Sequence, residues 1–355
     1  IRAPRKLLDD TDRPCTGQLP KLLSAGEPLD GKRNPTGPMN VELLDLHPAP
    51  ADLEQLVREG MTAIPRQLPA WLLYDSEGSR LFAAICEQPE YSLTRTEIAL
   101  LNQQAEAISA SLGSGVLVEF GIGNARKVSP LLKALNSDLF VGLDISRTAL
   151  RDALEGLGRE HPQSTMLGIC CDHSQLTDLP HHPLLDGQRR IGFFPGSSLG
   201  NFSGDNAVAL LQRFRRLLKG GPLLLGLDQP RTPTLLEAAY NDAAGVSAAF
   251  AQNLLKRLNR ELQGDIDVSR FEYRARWQSS QSRIEMALVS TCSQTITLAG
   301  QRWHFDADEA WITEHSVKYS PKAAEELALR AGWRIQQRWH DENDHVSLHL
   351  LLPAN

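Results

Sequence analysis

The chain has 355 residues, 41% hydrophobic and 23% charged, with a formal net charge of -6. That supplies a core for two coupled lobes or one enlarged domain and excludes wholesale disorder. The negative balance argues against a nucleic-acid binder working by phosphate neutralisation, and no apolar run approaches the roughly 20 residues of a membrane helix.

The first fifty residues hold eight prolines and no sustained period. Residues 1–38 are therefore expected to be a disordered leader or linker, with Met39 a candidate natural start. This stretch has no apolar h-region, and the five scattered cysteines contain no C-x-x-C. Together these point to a reducing cytoplasm, with neither a disulfide framework nor a metal site.

From Asp75 to Ala110 the pattern is helical, with Leu81, Phe82 and Ile85 on one face. Thr94 and Glu97 have the spacing of a capping box at the start of a second helix. The grammar then changes to strands alternating with helices. Short apolar runs begin at Gly115, Leu139, Met166, Ile191 and Pro222, as buried parallel strands do. Ser146 reads as an N-cap, and Leu210, Leu211, Phe214, Leu217 and Leu218 make a helical stripe ended by Gly220 and Gly221. This alternation predicts a doubly wound α/β sheet with ligands at the carboxyl ends of its strands. After Asp228 it breaks. Residues 234–262 read as helical and 268–317 as strands, an inserted α+β lobe. Trp333–Trp339 and Val346–Leu352 read as a closing hairpin at the sheet edge.

Two sites carry chemistry. Gly121 and Gly123 follow the first strand, and Asp144 ends the second, about twenty residues on, where a carboxylate can accept ribose hydroxyls. Arg126 stands where a nicotinamide cofactor needs its third glycine. S-adenosylmethionine carries no phosphate and tolerates the change, and Asp172 after the third strand is placed for its adenine. The second site is Thr313–Lys318. On an extended chain Glu314 and Ser316 share a face while His315 points away and reads as structural. An acceptor and a donor fit the two nitrogens of a neutral imidazole, although on spacing alone an exposed polar strand is the simpler reading. Asn201, after the fourth strand, can bind a polar end of a substrate or stabilise its own turn.

These strings reach a known family. The chain resembles the histidine-specific Nα-methyltransferases of ergothioneine biosynthesis, which convert L-histidine to its trimethylated betaine, hercynine. The resemblance runs from about Leu72 to Leu350. It rests on Tyr74-Asp-x-x-Gly-Ser-x-Leu-Phe82, Pro89-Glu-Tyr91, Thr94-Arg95, the glycine loop with Lys127, Gly196-Ser-x-x-Gly-Asn201, Tyr240-Asn-Asp with Gly245-Val246, Phe250, Asn259-Arg-Glu-Leu262, Arg283-Ile-Glu-Met286 and Thr313-Glu-x-Ser316.

The resemblance implies a Rossmann-like class I methyltransferase sheet, formed by residues 96–230 and 319–355. It also implies a second α+β substrate-binding lobe from residues 39–95 and 231–318. It assigns S-adenosylmethionine to Tyr91, Gly121, Gly123, Lys127, Asp144, Asp172 and His173, with no metal. Histidine would lie between the lobes, its amino-acid end near Gly196, Asn201 and Tyr240 and its imidazole on Glu314 and Ser316. Tyr74 would help through water, and Phe82, Phe250 and Met286 would line the pocket. Aromatic faces from Tyr91, Phe82 and Phe250 can accommodate a methylated cation. Ser92 and His173 depart from the family's usual aromatics. No side chain is singled out as a general base. The expected partner is the small-molecule substrate L-histidine, with no nucleic acid and no membrane, and the expected state is a monomer. The rival readings are the same chemistry on tryptophan or tyrosine, a catalytically silent cofactor-binding regulator, and a nicotinamide oxidoreductase, the last opposed by Arg126.

Overall fold

The computed structural model describes residues 41–46, 50–202 and 204–354, so the expected leader at 1–38 lies outside the described residues. The strands, in chain order, are β1 (Val41–Asp45), β2 (Arg66–Gln67), β3 (Val116–Phe120), β4 (Leu139–Asp144), β5 (Thr165–Cys170), β6 (Arg190–Phe194) and β7 (Leu223–Asp228). They continue with β8 (Phe271–Gln278), β9 (Arg283–Ser290), β10 (Gln294–Leu298), β11 (Gln301–Phe305), β12 (Ala310–Val317), β13 (Trp333–His340) and β14 (Val346–Pro353). The helices are α1 (Pro50–Thr62), α2 (Ser76–Cys86), α3 (Leu93–Leu112), α4 (Ser129–Leu135), α5 (Arg147–Glu160), α6 (Asp205–Leu217), α7 (Pro233–Tyr240), α8 (Val246–Leu262) and α9 (Pro321–Arg330).

The eight-stranded sheet runs β1-β5-β4-β3-β6-β7-β14-β13. Its central strands are continuous apolar runs because helices cover both faces; every residue of β3 is buried. On one face α5 turns Leu150, Ala153, Leu154 and Leu157 inward, at the spacing of one helical stripe. It packs so closely that a Cβ on Gly168 of β5 would lie 2.5 Å from Leu154 Cδ1. On the other face α6 presents Phe214, stacked on Phe120 with centroids 3.9 Å apart. The chain winds from β3 outward through β4 to β5, then crosses to β6 and β7 on the opposite side of β3. That reversal opens a crevice at the carboxyl ends of the strands. The expected closing hairpin forms, with β14 antiparallel to β7 and β13 at the edge.

The insertion after β7 builds a four-stranded sheet, β2-β12-β9-β8, and the β10–β11 hairpin. Its core joins Leu254, Leu258, Phe271 and Trp311 to Val57, Met61 and Leu72 from the N-terminal segment.

Three local expectations change. Val41–Asp45, placed with the second lobe by the sequence reading, pairs in parallel with β5 at the edge of the large sheet. The helical stretch 234–262 is two helices, broken where Asp242 accepts the Val246 and Ser247 N–H groups at 2.8 and 2.7 Å. Thr94 and Glu97 do not form a capping box. Ser92 is the N-cap of α3 and makes no side-chain cap. Thr94 Oγ1 donates to Cys86 Sγ at 3.3 Å, while Glu97 is fully buried and accepts the Gly196 N–H. Partners remote in sequence outcompete the local cap.

Candidate active site

A cavity of about 1010 Å³ opens at the crevice, lined by both sheets' ends. It is large enough to hold two small molecules side by side. On the large-sheet side its wall includes Gly121, Gly123, Lys127, Asp144, Asp172 and His173. Gly121 and Gly123 have positive φ (77° and 56°), the left-handed turn that an L side chain resists. Asp144, ending β4, secures this turn: its Oδ2 accepts the Gly123 N–H and its Oδ1 the Ser146 N–H, each at 2.9 Å. Burial raises the Asp144 carboxyl despite these bonds. Each oxygen keeps a lone pair for a ligand hydroxyl. Asp172 Oδ1 accepts the Ser174 N–H at 2.9 Å. His173 packs among Phe120, Phe194 and Phe214, and burial lowers its imidazole, holding it neutral.

Glu119, the penultimate residue of β3, belongs to the same wall. It is buried, and burial raises its carboxyl well above the ordinary range. Glu119 Oε2 and His173 Nε2 are buried without a protein hydrogen-bond partner. Two such atoms on a cavity wall suit a ligand with polar edges, as an adenosine and an amino-acid tail have.

Facing it, the wall includes Tyr74, Phe82 and Glu314 from the second lobe, with Gly196 and Asn201 from the loop after β6. Asn201 closes the short helix Ser198–Asn201, which packs on the end of β12: a Cβ on Gly200 would lie 2.7 Å from Val317 O. Asn201 Nδ2 thereby reaches Glu314 Oε1 at 2.9 Å. Burial raises Glu314 to about 8, against the lowering pull of the Lys318 charge and the Asn201 bond.

The remaining expected residues form the layer behind that wall. Tyr91 packs edge-on to Phe82 and Tyr240, and Phe250 to Tyr74. Phe250 therefore backs the pocket rather than lining it, since Tyr74 and Phe82 occupy the surface. Met286 pairs with Glu314 across β9 and β12 and packs with Leu236 and Ile284, so it too is set back. Ser316 is buried one strand repeat from Glu314, its Oγ 2.8 Å from the Tyr240 hydroxyl. His315, expected to point away, has its Nε2 3.4 Å from a Glu285 carboxylate oxygen, yet the residue also borders the cavity.

Sequence reasoning missed Lys318. It is 1% exposed and donates to Tyr240 OH at 2.6 Å and Ser316 Oγ at 2.8 Å. Its ammonium lies 2.7 Å from Asp228 Oδ2. Burial pulls it down, but Asp228 and Tyr240 more than offset this and leave it raised, hence charged. Strand alternation was a usable signal, because Lys318 continues the face of Glu314 and Ser316. Its partner, Asp228 on β7, was not.

The turn after β3 is not built for a pyrophosphate, because Arg126 turns outward to an ion pair with Glu87 at 2.6 Å. The winding of the sheet, with β14 antiparallel beside β7, is that of a Rossmann-like class I methyltransferase fold. More narrowly, the chain belongs to the family of histidine-specific, S-adenosylmethionine-dependent methyltransferases, which residues 53–353 match. It is 36% identical to the histidine N-alpha-methyltransferase of Mycolicibacterium smegmatis, over 84% of this chain and 94% of that protein. It is 31% identical to ergothioneine biosynthesis protein 1 of Neurospora crassa, over 81% of this chain and 33% of that longer protein. It is also 28% identical to the 4-dimethylallyltryptophan N-methyltransferase easF of Claviceps purpurea, over 84% of this chain and 94% of that protein.

Proposed function

We propose that this methyltransferase acts on the α-amino group of free L-histidine, adding three methyl groups in succession to give hercynine, a step of ergothioneine biosynthesis. The observation that carries the reading is Glu314, a buried carboxyl in the cavity wall, with the Ser316 hydroxyl set behind it on the same strand. When ionised, Glu314 can accept the N–H of a neutral imidazole.

The other assignments follow from what each side chain has left to give. Asn201 Nδ2 spends one N–H on Glu314 and keeps a second for the substrate carboxylate. Tyr240 supports that end from behind, and Tyr74 and Phe82 present ring faces and edges that suit an alkylated ammonium. On the opposite wall Asp144 is placed for ribose hydroxyls, Asp172 and His173 for the adenine, and Lys127 for a carboxylate. S-adenosylmethionine, when bound, supplies a methyl carbon on a cationic sulfur, an intrinsically good leaving group. The protein's contribution is then alignment of donor and acceptor and exclusion of water, for which the crevice between two lobes is suited.

The test is incubation with S-adenosylmethionine and a panel containing histidine, tryptophan and tyrosine, read by mass spectrometry. Histidine alone should gain three methyl groups. Methylation of tryptophan or tyrosine with histidine untouched would overturn the substrate assignment.

A further inference from the structure

Glu97 has no place in the assignments above, yet it is a fully enclosed carboxylate beside the crevice, 0% exposed on α3. Both its oxygens accept the Gly196 N–H at 2.9 Å. Its Oε2 also lies 3.0 Å from Lys127 Nζ, which lines the cavity. Room for this arrangement is made locally. A Cβ on Gly226 would lie 2.0 Å from Glu97 Oε1, and one on Gly196 would lie 2.6 Å from Lys127 Nζ.

The two partners belong to different halves of the site. Lys127 follows the glycine turn on the donor side. Gly196 opens the loop that ends in Asn201 on the acceptor side. The planar peptide before Gly196 is held at both edges: its N–H by Glu97, and its carbonyl, on Pro195, by the Ser198 hydroxyl at 3.0 Å. A shift of the Lys127 ammonium toward a bound carboxylate therefore alters the charge that Gly196 bonds to, and a shift of the Gly196 loop alters the seat of Lys127.

We propose that Glu97 is a positioning residue that couples donor binding to acceptor binding, by gripping the Lys127 ammonium and the Gly196 amide with one buried carboxylate. This rests on the reading of Lys127 as a donor-side residue and of histidine as acceptor. Glu97 touches neither ligand. Its effect is an energetic link between them, and such a link must be reciprocal.

The experiment is calorimetric titration of the full chain with S-adenosylhomocysteine, with histidine, and with histidine at saturating S-adenosylhomocysteine. Wild type should bind histidine at least about fivefold more tightly when S-adenosylhomocysteine is present. Glu97→Gln keeps an acceptor for Gly196 but removes the negative charge that pairs with Lys127. It should bind S-adenosylhomocysteine about tenfold more weakly, with the coupling factor reduced close to one. In Glu97→Gln/Lys127→Met the loss of S-adenosylhomocysteine affinity should match Lys127→Met alone, because both changes act through the same ammonium. A general loosening of the fold would instead add to it. A wild-type coupling factor in Glu97→Gln, or additivity in the double variant, overturns the proposal. If Glu97→Gln does not fold, Lys127→Met carries the test: it leaves the Glu97–Gly196 bond in place, and retained coupling overturns the proposal. A wild type that binds S-adenosylhomocysteine but not histidine refutes the substrate reading instead, and Glu97 is then judged on the S-adenosylhomocysteine titrations and the double variant.

Discussion

Glu314 is held away from its ordinary ionisation by burial, and a carboxyl in that condition on a cavity wall is better explained by a ligand than by stability. Glu314→Ala should weaken histidine binding by about 1–3 kcal/mol, since a buried ring N–H loses its acceptor. S-adenosylhomocysteine affinity should not change. Calorimetry on the purified variant checks both halves, and wild-type histidine affinity would remove Glu314 from the substrate site. Asp144 is the counterpart on the donor side. Its two oxygens already fix the Gly123 and Ser146 amides, so Asp144→Ala removes a ligand acceptor and slackens the turn together. S-adenosylhomocysteine affinity should fall by about 1–3 kcal/mol while circular dichroism shows an intact fold. An unchanged dissociation constant would take Asp144 out of the cofactor site.

At the scale of elements, the end of β12 is pinned to the end of β7. Tyr319 N–H donates to Asp228 O at 3.0 Å, and Lys318 pairs with the Asp228 carboxylate beneath it. Arg231 holds the other oxygen of Asp228 at 2.5 Å. Lys318→Met keeps the aliphatic stem and leaves Asp228 with Arg231, so its cost should be about 1–3 kcal/mol, less than for a buried pair broken outright. Urea denaturation measures it, and a variant as stable as wild type would show the pin to be idle. The same elements explain what could be read in advance. Strands β3 to β7 were legible because burial on both faces demands unbroken apolar runs. The Glu314–Ser316 face was legible because side chains alternate along a strand. β1 was not, because Val41–Asp45 is a short, partly exposed edge strand following a proline-rich stretch. Glu97 was misread because its spacing from Thr94 mimics a cap, whereas its partner Gly196 is remote in sequence. Lys318 was passed over because a lysine on a strand is ordinarily solvated, and only the fold brings Asp228 under it.

Across the whole molecule, the site's needs and the fold's stability pull in opposite directions with pH. Glu314 titrates at about 8 in the folded chain against an ordinary value of 4.5, because burial disfavours its charge. A folded state that holds its proton more tightly than the unfolded one gains stability from that group below about 4.5 and loses it progressively as pH rises through about 8. The charged form is the one that accepts an imidazole N–H, so histidine affinity should increase over the window in which stability declines. Glu314→Gln separates the two effects. The variant should match wild type in melting temperature near pH 5 and exceed it near pH 9, because the penalty for a buried charge is gone. Its histidine affinity should lose the rise around pH 8 that wild type shows. Glu119, also raised by burial, remains in both proteins, so the difference between them isolates Glu314. Scanning calorimetry and histidine titration at pH 5, 7 and 9 provide the comparison. Parallel pH profiles for the two proteins would show that the Glu314 charge is neither a burden on the fold nor the feature that holds the ring.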